Sequence, residues 1–272
     1  MVINLYDFYE DKRKLIGRDA LYLTAFCFGV DISKVLSGKT LEVSDEVAVK
    51  ANEMVTKRLK GVPLQYLKGE CEFFGLDFTV GEGVLIPRAD TEVSVETVLR
   101  VCPENAKIAD LCSGSGCIAI SVKKNHPDVS VYAYELSDKA LKYLKINAEN
   151  NDVDINIKKA DVTKVPDEAG FDIVVANPPY LTKKDMNELQ LEVTFEPETA
   201  LFGGEDGLDF YRKITASWQD ALLDGGYLIY EIGINQQNDV KKIMEQNGFC
   251  EIEEIKDLSG IVRTLKGKRR KN

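Results

Sequence analysis

Apolar positions three and four residues apart predict helices over Asn4 to Ile16, Arg18 to Phe28 and Ser44 to Lys60. The third is punctuated at both ends. Ser44 is placed to cap it, Asp45 and Glu46 fall in the first turn, and Lys57, Arg58 and Lys60 lie near the end before Gly61 and Pro63. Residues 1–70 therefore read as a bundle of short helices. From Cys71 to Arg88 the pattern changes. Phe73, Phe74, Phe78, Val80, Val84, Leu85 and Ile86 are interspersed with Gly75, Gly81 and Gly83, which predicts a β-hairpin linker over 71–90.

Beyond about Thr91 helix and strand alternate. Strands are expected at Lys107–Leu111, Ser130–Glu135, Asp154–Lys159, Phe171–Ala176, Gly226–Ile232 and Cys250–Ile255. Helices are expected at Gly116–Lys124, Ser137–Asn150, Asp206–Leu223 and Asn235–Asn247. This alternation implies parallel strands joined by right-handed crossovers, hence a doubly wound, Rossmann-like α/β domain over 91–272.

Composition narrows the functions available. The 272 residues are 44% hydrophobic and 29% charged, a globular balance. The longest stretch without a charged residue, Leu111 to Val122, is too short to cross a bilayer, which takes about 20 apolar residues. The N-terminal segment turns acidic at Asp7 and lacks an apolar signal core, so the expected compartment is the cytosol. A net charge of −10 argues against a protein whose main task is gripping nucleic acid, and no stable DNA binding is expected. The basic run Lys266, Lys268, Arg269, Arg270 and Lys271 reads as a solvated, frayed end, with RNA contact as the alternative. The six cysteines show no C-x-x-C spacing and read as reduced, mostly buried thiols. With one histidine, His126, in a loop, neither a metal site nor Ser-His-Asp chemistry is expected.

Chemistry concentrates at the ends of the expected strands. Asp110-Leu111-Cys112-Ser113-Gly114-Ser115-Gly116 places a Gly-rich turn between a strand and a helix. Glycine there lets a ligand approach the backbone, and free helical N–H groups favour a carboxylate or phosphate. The string suits a dinucleotide or S-adenosylmethionine equally well. Glu135, ending the next strand, can accept from ribose hydroxyls. Asp161 and Val162 can meet an adenine amino group and ring face. Asn177-Pro178-Pro179-Tyr180 follows an apolar strand. Its prolines cannot continue a ladder, so the chain leaves the sheet at the carboxyl edge. They hold the Asn177 side-chain oxygen and the Pro178 carbonyl as two fixed acceptors. Two such acceptors suit a planar –NH2 group, whose lone pair they can aim at an activated methyl.

In this order these motifs resemble the class I S-adenosylmethionine-dependent N-methyltransferases. Gly61 to Leu67, Leu85-Ile86-Pro87-Arg88, Phe195-Glu196-Pro197, Ala200 to Leu208, Glu231-Ile232-Gly233 and Asp257-Leu258-x-Gly260 narrow the resemblance. Together they resemble the HemK-type release factor glutamine methyltransferases along essentially the whole chain. The resemblance implies methylation of a glutamine amide nitrogen (N5) in the Gly-Gly-Gln motif of class-1 peptide chain release factors. It also implies that the helical domain helps dock that partner; the chain itself is expected to be a monomer. Cofactor-binding candidates are Asp110, Cys112, Ser113, Gly114, Ser115, Gly116, Glu135, Asp161, Val162 and Asn177. Substrate candidates are Arg88, Asn177, Pro178, Pro179 and Tyr180, with Asn177, Pro178 and Tyr180 catalytic. The sequence departs from the family at Cys112, where glycine is usual, and at Ala89, where proline is usual; these imply a narrower pocket and a looser loop. DNA adenine N6-methylation, a non-catalytic cofactor-binding module and a nicotinamide oxidoreductase are the competing readings.

Overall fold

The computed structural model describes residues 1–270 and divides into two compact units. One comprises Met1–Glu70 with Gln190–Phe195; the other comprises Cys71–Leu189 with the chain from Glu196 onward.

The first unit runs β1 (Val2–Asn4), α1 (Leu5–Ile16), α2 (Asp19–Cys27), α3 (Ile32–Leu36), β2 (Thr40–Glu42), α4 (Asp45–Leu59) and α5 (Leu64–Lys68). Local chemistry sets the ends. Asn4 caps α1 by accepting from the Tyr6 and Asp7 amides, and Ser44 caps α4 through the Val47 amide. Leu5, Ala25 and Val35 form one apolar cluster; Leu23, Met54 and Val55 form another. Arg58 ties Asp19 at 2.5 Å to Glu192 at 2.7 Å. The short pieces β1, β2, α3 and α5 hold too few residues to show a period in the sequence.

Next in the chain, β3 (Glu70–Phe73) and β4 (Leu76–Thr79) pair as a two-stranded sheet. The expected hairpin occupies only this stretch; Ala89–Thr91 form a 3-10 turn. The second unit then runs α6 (Glu92–Val101), β5 (Lys107–Leu111), α7 (Cys117–Asn125), β6 (Ser130–Glu135), α8 (Asp138–Asn150), β7 (Asn156–Lys159) and β8 (Phe171–Ala176). It continues with α9 (Lys183–Asn187), α10 (Asp209–Trp218), β9 (Leu222–Glu231), α11 (Gln237–Gln246), β10 (Phe249–Lys256) and β11 (Val262–Arg269). The pattern of the sequence predicts no helix at α6, which is rich in β-branched residues (Val93, Val95, Thr97, Val98, Val101) that carry little helix signal. The helix expected over Asp206–Leu223 starts later and ends earlier, because Asp206 turns back to accept from the Leu208 amide and Gln219–Ala221 tighten into a 3-10 turn.

The seven-stranded sheet has the order β10-β11-β9-β8-β5-β6-β7. Strands β9, β8, β5, β6 and β7 are parallel, whereas β11 runs antiparallel to β9 and β10 antiparallel to β11. The all-parallel expectation is thus corrected at one edge. The basic end is corrected too. Thr264, Leu265 and Lys266 are buried within β11. Lys266 meets Glu253 at 2.9 Å and lies over the Tyr227 ring, and Arg269 bonds the Gln219 and Leu222 carbonyls and Asp220. Acidic partners and main-chain carbonyls neutralise what reads in isolation as a solvated charge run. Lys271 lies outside the described residues. None of the six cysteines is in a disulfide, and all are half-buried, less enclosed than expected.

The core beneath the sheet centres on Phe171, Tyr211, Trp218 and Tyr230. The Tyr134 and Trp218 rings meet edge-on at 4.9 Å. Since β11 is an internal strand, removing the chain from Lys266 onward is expected to leave the second unit unable to fold. Loss of a cooperative thermal transition checks this; an unshifted melt would restore the frayed-end reading.

Candidate active site

Parallel register brings four chain segments to one edge. Leu111 is level with Tyr134 and with Ala176, and Ala176 is level with Tyr230. The next residues, Cys112, Glu135, Asn177 and Glu231, therefore emerge side by side at the carboxyl edge. The strand order reverses there, since β6 and β7 extend to one side of β5 while β8 and β9 extend to the other. Open α/β sheets bind ligands at such a switch point.

A cavity of about 640 Å³ opens at this edge. Of the candidates from the sequence, Arg88, Cys112, Ser113, Gly114, Ser115, Glu135, Asp161, Val162, Asn177 and Pro179 line it. Asp110, Gly116, Pro178 and Tyr180 stand off the lining, directly behind or beside it in sequence. The motifs of the sequence do not assign Thr91, Leu136, Thr199, Phe202 or Phe210 to the site, although all of them contribute to the wall.

The Gly-rich turn is built as its composition requires. Gly114 adopts φ +55°, and only the Cys112 carbonyl oxygen, 4.0 Å away, comes near where a Cβ would project, leaving its backbone approachable. Gly116, at φ +85°, has a different reason: a Cβ there would drive into Leu144 and Ile120, so this glycine serves helix packing. Cys112 lines the cavity at φ +59°, in the left-handed region where a side chain is disfavoured by about 1–2 kcal/mol. That is the physical basis for glycine being usual there. Burial pushes the Cys112 thiol well up, with the Glu135, Asp110 and Asp161 carboxyls adding to the rise.

Glu135 is fixed by three backbone donors. Gly114 donates to Oε2 at 2.8 Å, while Leu136 and Ser137 donate to Oε1 at 2.8 and 2.7 Å. A carboxylate offers about four acceptor positions, so one stays available to a ligand hydroxyl. Asp161 Oδ1 accepts from the Thr163 amide and hydroxyl, which hold its carboxyl below the usual range. Val162 is buried, and its carbonyl accepts from the Trp218 indole at 2.8 Å, which pins this wall to the core. Arg88 is bonded to Glu196, which also accepts from the Ile86 amide.

The Asn177–Tyr180 turn is clamped from outside. Gln236 donates to the Tyr180 carbonyl at 3.0 Å and accepts from the Gly233 amide at 2.9 Å. A Cβ on Gly203 would lie 2.6 Å from the Pro179 carbonyl oxygen, so only glycine allows that loop to press against the turn. Asn177 donates through Nδ2 to Thr91 Oγ1 at 3.3 Å. Burial pushes the Tyr180 phenol up. It also raises Asp110 from the ordinary 3.8 to about 7, and Glu231 to about 7. Among the described residues no acidic, cysteine or histidine cluster could hold a metal ion. Nor is any helix long and apolar enough to cross a membrane.

A family model described as Methyltransferase small domain matches residues 88–198, and one described as PrmC N-terminal domain matches residues 14–69. A methyltransferase from Pyrococcus furiosus superposes with a TM-score of 0.57 at 17% identity, covering 73% of this chain and 91% of that one. Sheet order, carboxyl-edge cavity and these matches define a methyltransferase of the Rossmann-like class. Two curated relatives narrow the class. The release factor glutamine methyltransferase of Clostridium acetobutylicum is 38% identical, covering 94% of this chain and 92% of its own length. That of Thermodesulfovibrio yellowstonii is 40% identical, covering 88% of each. The chain belongs to the release factor glutamine methyltransferase family.

The buried carboxyls carry a stability consequence. Between the ordinary carboxylate value and about 7 the folded protein binds these protons more tightly than the unfolded chain does. Their stabilising contribution is full at acid pH and is lost as pH rises through about 7. Asp110→Asn removes one of the two groups. Its urea midpoint, relative to the wild type, should gain ground as pH rises from about 4 to about 7. A constant difference across that range would contradict the assignment.

Proposed function

We propose that the carboxyl-edge cavity binds S-adenosylmethionine and that the enzyme methylates the side-chain amide nitrogen of glutamine in the Gly-Gly-Gln motif of class-1 release factors. The chemistry of the lining fits that cofactor. Its size lies within the 300–1,000 Å³ usual for ligand sites. The open backbone at Gly114 suits the methionine end, the free acceptor position on Glu135 suits a ribose hydroxyl, and Asp161 with buried Val162 suits adenine. When bound, the cofactor supplies a methyl group already activated by a positively charged sulfur.

The task left to the protein is positioning. An amide nitrogen is a poor nucleophile because its lone pair is delocalised into the carbonyl. Asn177 Oδ1 and the Pro178 carbonyl together accept the two N–H groups, draw them away from the amide plane and direct the lone pair along the line of attack. As the nitrogen gains the methyl it sheds one of its two hydrogens as a proton to solvent, and the scheme assigns no histidine base. Arg88, held by Glu196, and Tyr180, held by Gln236, form the flanks of the substrate end. The helical unit that matches the PrmC N-terminal domain is assigned the grip on the release factor.

The observation that carries this reading is the rigid Asn177-Pro178-Pro179-Tyr180 turn at the switch point, beside the Gly114 loop and Glu135. With labelled S-adenosylmethionine, label should enter an intact release factor and disappear when the motif's glutamine is replaced. Label that ignores that glutamine, or that enters duplex DNA instead, would defeat the assignment. Asn177→Ala should lower turnover by about 100-fold or more while cofactor affinity stays within about twofold. Near-normal turnover would remove Asn177 from the chemistry. Glu135→Ala should weaken cofactor binding by about tenfold or more, the loss of one charged hydrogen-bonding partner. An unchanged dissociation constant in calorimetry would remove the ribose role.

A further inference from the structure

Thr91 closes the 3-10 turn at Ala89–Thr91 and stands at the N-cap of α6. With φ −67° and ψ −21° its backbone is helical and continuous with that turn, so its hydroxyl is not placed to bond the helix's unpaired N–H groups. Thr91 makes no such bond. Its side chain is instead buried at 1% exposure, with Oγ1 accepting from Asn177 Nδ2. The Glu231 carboxyl, 2% exposed, faces the same two side chains, Thr91 and Asn177. Its Oε2 makes no hydrogen bond within the protein.

Donor and acceptor counting then fixes a direction. A hydroxyl has one hydrogen. Directed at the Glu231 carboxylate, it leaves only lone pairs for Asn177. A carboxylate likewise only accepts. Both neighbours therefore select the –NH2 end of the Asn177 amide, and Oδ1 must turn toward the cavity that Asn177 lines. We infer that Thr91 and Glu231 are a positioning pair that fixes which end of the Asn177 amide faces the substrate. This rests on the reading of Asn177 as an acceptor for the glutamine amide. With the amide reversed, one –NH2 group would confront another and no lone pair would be aimed.

The test uses the full-length enzyme with labelled S-adenosylmethionine and release factor at about pH 8, where the Glu231 carboxyl is mostly ionised. Thr91→Val keeps the shape and deletes the hydroxyl. It should lower kcat by about tenfold or more, the scale of a misaimed contact, with KM for the cofactor within about twofold. Thr91→Ser should restore most of the activity. Glu231→Gln offers a donor to Thr91, freeing the hydroxyl to donate toward Asn177 and reverse its amide, and should bring a comparable fall in kcat. Wild-type kcat in Thr91→Val or in Glu231→Gln, with Asn177→Ala inactive, would overturn the pair and leave the Asn177 reading standing. An active Asn177→Ala would overturn both. Should Thr91→Val lose its fold by circular dichroism, Glu231→Gln alone decides.

Discussion

Two consecutive prolines at the carboxyl end of β8 are the constraint around which the site is arranged. β8 is buried along nearly its whole length, so its direction is fixed by the core. Pro178 and Pro179 can neither continue the ladder nor relax into helix, so the chain must leave the sheet at a set angle. Neighbouring segments close on that turn. Gln236 bonds the Tyr180 carbonyl, and the Gly203 loop presses against Pro179. A reaction that needs little acid–base chemistry can then be driven by geometry, provided the acceptors do not move.

Rigidity of this kind has an electrostatic cost. Asp110 and Glu231 are carboxyls wholly removed from water, each with one oxygen lacking a partner in the protein. Burial penalises such groups chiefly in their ionised form. Both follow the same sheet edge as the cavity. Glu231 faces the side chains that determine the Asn177 amide, and Asp110 accepts from the Ala119 amide inside α7, just past the Gly-rich turn. The left-handed backbone at Cys112 adds a further local strain beside the cavity.

Long periodic segments are legible in the amino-acid order alone. β5, β6 and β8 have the bounds expected from the sequence, since central parallel strands are buried on both faces and read as mostly apolar stretches. Ser44 marks the start of α4 through a capping bond that the structure contains. What is not legible depends on partners distant in sequence. Lys266 and Arg269 look solvated until Glu253, Tyr227 and Asp220 are brought to them. Thr91 carries no signal of its own until Asn177, far along the chain, is brought to its hydroxyl. Glu231 belongs to a family motif, yet only the register of β9 against β8 sets it beside Asn177. Gln236 carries no local signal, because its role is defined wholly by the carbonyls it reaches.

The proposed reaction turns on two acceptors meeting one amide, and a crystal structure of the enzyme with a cofactor analogue and a glutamine-containing release-factor peptide tests this most directly. The expected result is the glutamine nitrogen about 3 Å from both Asn177 Oδ1 and the Pro178 carbonyl, facing the sulfur. A glutamine held through its carbonyl oxygen, or seated away from the Asn177–Tyr180 turn, would contradict the account.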